Sequence, residues 1–479
     1  MAVVENKLQT QQLWQRLVPF IVIAFLIAGY WPTFVGLSVE WTQWDESLSH
    51  AYPLLLWFLV LLYKVGPLGV ERQSIFLNLL FAVGLLTSSV FWFLLNSIQI
   101  KILEQLILLP ILYLALAFTF GIKVLWQLRF LLLMPLFAIP IWDYLNNSLV
   151  QLASNIVGEM VRLIRIPALI DGSSIFIPSG HIMIADGCSG LRYLIISLAL
   201  GYTISYLNGY REKGLIISLF IAGALGLIAN WIRIFILILV GYYTEMQSSL
   251  MEDHETFGWI VFALICFPAI YFAPVIKKEF VQIGAAGVNV SYQKLVLLAL
   301  LMSPGVWLQA FTAQTNNANL PQVNLGGSGF VATSVALPLA PALPTPKLSQ
   351  QFVNSQNIYL QINQYAPQSE KERLVPYIAR QFDNQFWLQE NVQVLVSGDK
   401  KVRAEQLRQK SGLKRVVQVQ WFDVGGITTA TVAQAKLLQI PALFSRKQYF
   451  SIFTLQVECT QVDCKESLQH LLRASESIH

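Results

Sequence analysis

Charge is what this sequence has least of. Only 12% of its 479 residues are Asp, Glu, Lys or Arg, about half the share found in soluble domains. With a mean hydropathy of +0.56, the bulk of the chain reads as dissolved in lipid. The scarcity is uneven. Residues 1–312 hold 16 Lys+Arg against 16 Asp+Glu, and residues 313–479 hold 16 against 11. The net charge of +5 therefore sits in the last third, too small an excess to mark a nucleic-acid partner.

Cysteine and histidine are scarce too. The four cysteines, Cys188, Cys266, Cys459 and Cys464, form no CxxC pair, and the five histidines do not cluster with them. The spacing of a structural zinc site is not met, and neither metal nor cofactor is expected. A short secretory core with a small-residue cleavage site is missing as well. The first apolar run, "LVPFIVIAFLIAGYWPTFV", is long enough to stay in a bilayer.

Apolar runs are what the chain has in quantity. A membrane span takes about 20 mostly apolar residues, and nine runs qualify: 17–36, 51–63, 74–96, 104–121, 125–142, 188–207, 214–242, 257–276 and 293–312. Their loops alternate in charge. Lys7 and Arg16, Lys64 and Arg72, Lys123 and Arg129, Arg211 and Lys213, and Lys277, Lys278 and Lys294 fall on one side. The other side carries the acidic loops "VEWTQWDESLSH" and "TEMQSSLMEDHE". The positive-inside rule makes the basic side cytoplasmic, so the N-terminus is expected inside and the C-terminal tail outside the cytoplasmic membrane.

Two segments between the fifth and sixth runs are not spans. Residues 143–165 have the amphipathic spacing of an interfacial helix. Residues 166–187 alternate β-branched residues with "DGSS" and "PSG" and read as a hairpin-like outer loop.

Against this background three polar groups are costly. In "ADGCSGLRYL", residues 185–194, Cys188 and Arg192 lie one helical turn apart at the outer start of the sixth run. The positive end of a helix dipole favours a thiolate, and Ser189 and Gly190 permit close backbone approach. The bland alternative is a packed cysteine beside an arginine that snorkels to the interface. In "ANWIRIF", Asn230 and Arg233 share a helix face, and Arg233 lies roughly 12 Å from the outer end at 1.5 Å per residue. A charge at such depth costs about 2.5–3.5 kcal/mol and ordinarily faces a partner or a wet cavity; snorkelling or a structural ion pair is the alternative. In "EDHETFG", His254 is a candidate acid/base among carboxylates, although a histidine in a polar loop is ordinarily just solvated. The predicted topology puts all three at the outer side, where a thiol, a guanidinium and an imidazole are the parts of a cysteine nucleophile, its electrostatic stabiliser and its proton donor.

The ordered set "DGCSGLRYL", "NWIR" and "HETFG" resembles the three-motif signature of the exosortases and archaeosortases, over roughly residues 17–312. The resemblance implies a catalytic triad of Cys188, Arg233 and His254, with Arg192, Asn230, Ser189 and Gly190 in supporting or substrate-binding places. It implies a membrane cysteine peptidase or transpeptidase whose partners are exported proteins with C-terminal sorting tails: a Pro-Glu-Pro motif, a transmembrane helix and a basic cluster. The tail of this chain resembles the extracytoplasmic domains that accompany such enzymes, and a cyanobacterial branch has such pairings.

That tail begins after an Asn-, Gly-, Ala- and Pro-rich stretch, residues 313–349, read as a linker. From 350 onwards "NIYLQINQY", "VQVLVSG", "RVVQVQWFDV" and "QYFSIFTLQVE" read as strands, and 370–382, 400–412, 430–438 and 464–474 as helices. Cys459 and Cys464 are close enough in sequence to pair in an oxidising compartment. The fold class expected is an all-α polytopic membrane protein of about eight or nine transmembrane helices (1–312) with a small soluble α+β domain (350–479). Two other functions stay open at this level: a transporter or lipid-handling protein that uses Arg233 for an anionic substrate, and a non-catalytic assembly scaffold.

Overall fold

The computed structural model describes residues 2–43, 47–184, 186–251, 253–276, 290–313, 320–326, 328–340, 342–366, 374–376, 378, 382, 386–410, 414–445, 447–459 and 464–478. They divide into two compact units, residues 1–89 with 101–304, and 90–100 with 305–479.

Prolines decide where the apolar runs of the first unit stop being helix. The first run becomes α1 (Ala2–Gly29) and α2 (Trp31–Trp41), with Pro32 in the opening turn of the second, where no N–H is needed. Next come α3 (Ala51–Val65), α4 (Ile75–Ile98), α5 (Lys101–Leu106), α6 (Leu108–Phe120) and α7 (Ile122–Leu132). Pro135 and Pro140 then replace helix with two 3-10 turns, because neither supplies a backbone donor. Beyond them α8 (Asn146–Leu163) buries Leu149, Ala153, Val157 and Val161, one stripe at four-residue spacing. Segment Pro140–Leu163 is bent 61° from Ile122–Ala138. The helices α9 (Leu191–Leu207), α10 (Glu212–Tyr243), α11 (His254–Tyr271), α12 (Tyr292–Met302) and α13 (Pro304–Ala313) follow.

Among the described residues, five helices are long and apolar enough to cross a membrane, or up to seven if each bent pair is one span. Hydropathy counts nine apolar runs, but it does not register that α3 and α9 are only 15 and 17 residues long or that prolines bend the fifth and ninth. Large apolar side chains on the outside, such as Phe76, Phe220 and Leu264, suit a lipid-facing surface. These helices fit a multi-pass membrane protein.

Residues 166–184 add what an all-α expectation lacks. Strands β1 (Leu169–Asp171), β2 (Ser174–Ile177) and β3 (Gly180–Met183) form a three-stranded antiparallel sheet, with Gly172 at φ 58° in its first turn. Ile175, Ile177 and Ile184 pack with Val157 of α8 and with Ile234 and Ile238 of α10. The sheet thereby aims the chain at the start of α9. Small residues let α9 and α10 lie against each other: a Cβ on Gly201 would stand 2.6 Å from Ala222, and one on Gly226 2.7 Å from the Tyr193 carbonyl. Such seams are how helices associate where lipid gives no hydrophobic drive.

The second unit is built on an antiparallel sheet. In chain order its elements are β4 (Val331–Ala332), β5 (Leu348–Val353), β6 (Tyr359–Tyr365), β7 (Trp387–Ser397), β8 (Lys400–Gln409), β9 (Arg415–Val424), β10 (Ile427–Thr429), α14 (Val432–Phe444), β11 (Phe450–Cys459) and α15 (Lys465–Glu476). The strands lie in the order β4-β5-β6-β11-β9-β8-β7, with β10 paired to β9. One face packs Leu360, Ile362, Val419, Trp421 and Leu455 with Leu471 of α15. On the other, Phe422, Phe450 and Ile452 pack with Ala435 and Ala442 of α14.

The helix read over 400–412 is a correction: Lys400–Gln409 form β8. Helix-forming side chains lose there to a two-residue turn at Gly398 and Asp399, which pairs Ser397 with Lys400 and puts Gly398 at φ 59°, the hairpin geometry that fixes register. Val402, Ala404 and Leu407 are then buried. The helix read over 370–382 lies mostly outside the described residues. Within 313–349, Leu339 is buried; the Gln456 side chain accepts from its N–H and donates to its carbonyl, both at 3.0 Å. A disulfide joins Cys459 to Cys464, Cα atoms 5.7 Å apart.

Candidate active site

The cysteine is placed by its backbone. Residues Asp186–Cys188 form one 3-10 turn, and Gly190, at φ 90°, caps α9. Positive φ favours glycine, and space requires it here: a Cβ on Gly190 would stand 2.8 Å from Asn230 Nδ2. That nitrogen donates to the Cys188 carbonyl at 3.0 Å. Asn230, fully buried on α10, therefore ties the cysteine-bearing turn to the helix that carries Arg233. Ser189 is buried, and its Oγ accepts from the N–H of Leu191 at 3.2 Å. Cys188 itself is half-buried, against a cluster containing Ile234 and Ile238.

Arg233 follows Asn230 on the same face of α10 and is 4% exposed. Its guanidinium stands over the ring of Tyr193, 5.6 Å from the centroid, a cation–π distance. Among the described residues Nε has no hydrogen-bond partner, and neither has Asn230 Oδ1. Arg233 has no ion pair among the described residues. A buried charge without a counter-charge is one of the costliest arrangements a fold can keep. It is kept beside the cysteine: Tyr193 lies within electrostatic reach of Arg233, Arg192, Cys188 and Glu255.

His254 opens α11. Asp253 caps the helix, accepting from the N–H of Thr256 at 3.3 Å. Nδ1 of His254 lies 3.3 Å from the Met251 carbonyl. A carbonyl only accepts, so Nδ1 holds a proton and Nε2 is left to take up or release another. The next residue, Glu255, pairs with Arg192 at 3.5 Å, which links the first turns of α9 and α11. Among the described residues, His254 makes no hydrogen bond with Cys188 or Arg233. The structure thus gathers Cys188, Arg192, Arg233 and Glu255 about one tyrosine, and sets His254 beside Glu255.

Two residues inside the quoted motifs are given no role by the sequence reading. One is Tyr193. The other is Gly258, whose Cβ would stand 2.1 Å from Tyr193 Oη and 2.7 Å from Arg233 Nε. The glycine of "HETFG" is where α11 closes over the arginine. Gly258→Ala is expected to push α11 away from Arg233 and destabilise the fold by about 1–3 kcal/mol, as overpacking does. A lowered thermal midpoint of the full chain in detergent micelles checks this; an unchanged one would mean the helices are not in such close contact.

A cavity of about 620 Å³ lies between the same three helices, lined by Gly201, Ser218, Ala222, Leu225 and Cys266 among other mostly apolar residues. Cys266 also packs beside Tyr193 and Phe262. Among the described residues no group of three His, Cys, Asp or Glu could hold a metal ion.

No curated protein and no solved structure matches this chain. Its residues 41–271, which contain Cys188, Arg233 and His254, match the family model described as transmembrane exosortase, and this match supports the exosortase family for that part of the chain.

Proposed function

We propose that this chain is a membrane cysteine peptidase or transpeptidase that cuts the C-terminal sorting tails of exported proteins at the outer face of the cytoplasmic membrane. The observation that carries the reading is Arg233, a buried guanidinium without an ion pair among the described residues, standing over Tyr193 on the helix whose Asn230 holds the Cys188 carbonyl. A site that keeps a positive charge unpaired is prepared for negative charge that comes with the substrate or develops on it.

The reaction follows from the groups present. Cys188 Sγ attacks the scissile carbonyl as thiolate, forming a C–S bond while the carbonyl electron pair moves onto oxygen. Arg233 stabilises that oxyanion. As the intermediate collapses, the C–N bond breaks and His254 gives a proton to the leaving amine. Water or an acceptor amine then resolves the thioester. Asn230, Ser189 and Gly190 hold the turn that carries the nucleophile. The substrate is an exported protein with a Pro-Glu-Pro motif, a transmembrane helix and a basic cluster. The N-terminus lies in the cytoplasm and the sheet-rich unit outside, as a recognition or assembly module.

The thioester is the test. Full-length protein in lipid vesicles, mixed with such a precursor and quenched in acid, is expected to yield a Cys188 peptide joined to the cut end of the substrate. Hydroxylamine should release it. Cleavage without any adduct on Cys188 would overturn the reading.

A further inference from the structure

The reaction above leaves one buried polar group unused. Tyr193 is 5% exposed, and its ring is fully occupied: it stacks on Phe262 with centroids 5.3 Å apart, meets Trp259 edge-on at 5.8 Å, and underlies Arg233. All of that could be done by phenylalanine. The hydroxyl makes no hydrogen bond among the described residues. Buried tyrosines ordinarily find a partner for that group.

Where the hydroxyl points is informative. Tyr193 Oη and Arg233 Nε both press on Gly258, 2.1 and 2.7 Å from the point a Cβ there would occupy. Two donors from two helices, each without an acceptor among the described residues, therefore converge. Tyr193 also stands within electrostatic reach of Cys188. The cysteine turn is tied to the same helix as Arg233 through Asn230, which donates to the Cys188 carbonyl at 3.0 Å.

We propose that Tyr193 Oη is a catalytic donor: it hydrogen-bonds the scissile carbonyl oxygen of the substrate and, with Arg233, holds the oxyanion formed when Cys188 attacks. The inference rests on the peptidase reading and completes its oxyanion site. Tyr193 keeps its proton throughout. The bond formed is C–S, the bond broken is C–N, and the proton on the leaving amine comes from His254. Gly258 is the gap that lets the two donors meet, and the aromatic cage of Trp259 and Phe262 fixes the phenol ring so that its hydroxyl has one direction.

Tyr193→Phe is the test, because it leaves the ring under Arg233 and removes only the donor. Full-length wild type, Tyr193→Phe and Cys188→Ala are compared in lipid vesicles with a precursor carrying a Pro-Glu-Pro motif, an apolar helix and a basic cluster. The expected result is a kcat lowered about 10- to 100-fold, somewhat less than for a charged or backbone oxyanion donor. KM should not change, and the thermal midpoint should be equal or higher. If Tyr193→Phe cuts at the wild-type rate while Cys188→Ala is inert, the peptidase reading stands and the role of Tyr193 falls. A raised KM at unchanged kcat would overturn that role as well, since it reports uniform binding. Cleavage by Cys188→Ala at the wild-type rate would remove the peptidase reading itself.

Discussion

Cys188→Ala is expected to abolish cleavage, by on the order of a million-fold where the nucleophile carries the chemistry, while the uncut precursor still binds. The structure separates these two effects. What holds the turn is main chain: the Cys188 carbonyl accepts from Asn230 and Gly190 caps α9. The side chain is half-buried at the edge of a cluster, so its loss costs the fold no more than about 1 kcal/mol. The variant should purify like wild type, and co-purification with the precursor followed by a cleavage assay reads both properties. A transporter or an assembly scaffold predicts the opposite pattern, tolerance of Cys188→Ala with function intact.

Arg233→Gln is the second large effect, and its signature is a divergence of activity from stability. Removing one oxyanion donor typically costs 10²–10³ in kcat, and Arg233 is the charged donor of the proposed mechanism. At the same time the substitution relieves a buried charge that has no ion pair among the described residues, a burden of about 2.5–3.5 kcal/mol on membrane insertion scales. The expected protein is therefore at least as stable as wild type and nearly inactive. Arg233→Lys should rescue little, because an ammonium lacks the planar guanidinium that lies over Tyr193. Thermal midpoints beside cleavage rates check this. A variant that lost stability together with activity would make Arg233 a structural residue instead.

Much of this site was legible in the sequence because lipid makes polarity conspicuous. Cys188, Arg192, Asn230, Arg233 and His254 stand out in an apolar chain, and their order carries the resemblance. Tyr193 and Gly258 do not stand out, since aromatic residues and glycine are ordinary in membrane helices; only the contact between α9, α10 and α11 gives them meaning. Arg192 read as an uncertain partner of the cysteine, and its visible contact is with Glu255, on another helix. In the fold, apolar runs were readable but their breaks less so: Pro140 and Pro304 open the second halves of bent pairs, and Pro32 sits in the opening turn of α2. In the second unit, β9 was readable from its alternation, whereas β8 was not. Its Lys, Arg, Glu and Gln favour helix locally, and the strand exists because a tight turn and two neighbouring strands impose it.

The seam on α10 has a consequence for how depth is encoded. Gly223, Gly226, Asn230 and Arg233 succeed one another at steps of three, four and three residues, so contact with α9, the tether to the cysteine turn and the charge occupy one stripe of a single cylinder. Phase and height are thus set by the same count. One residue inserted between Gly226 and Asn230 would rotate the polar pair about 100° toward lipid. Seven inserted residues would nearly restore the phase, yet carry Arg233 about 10.5 Å along the axis, away from the sulfur. The helix works as a ruler with one permitted length.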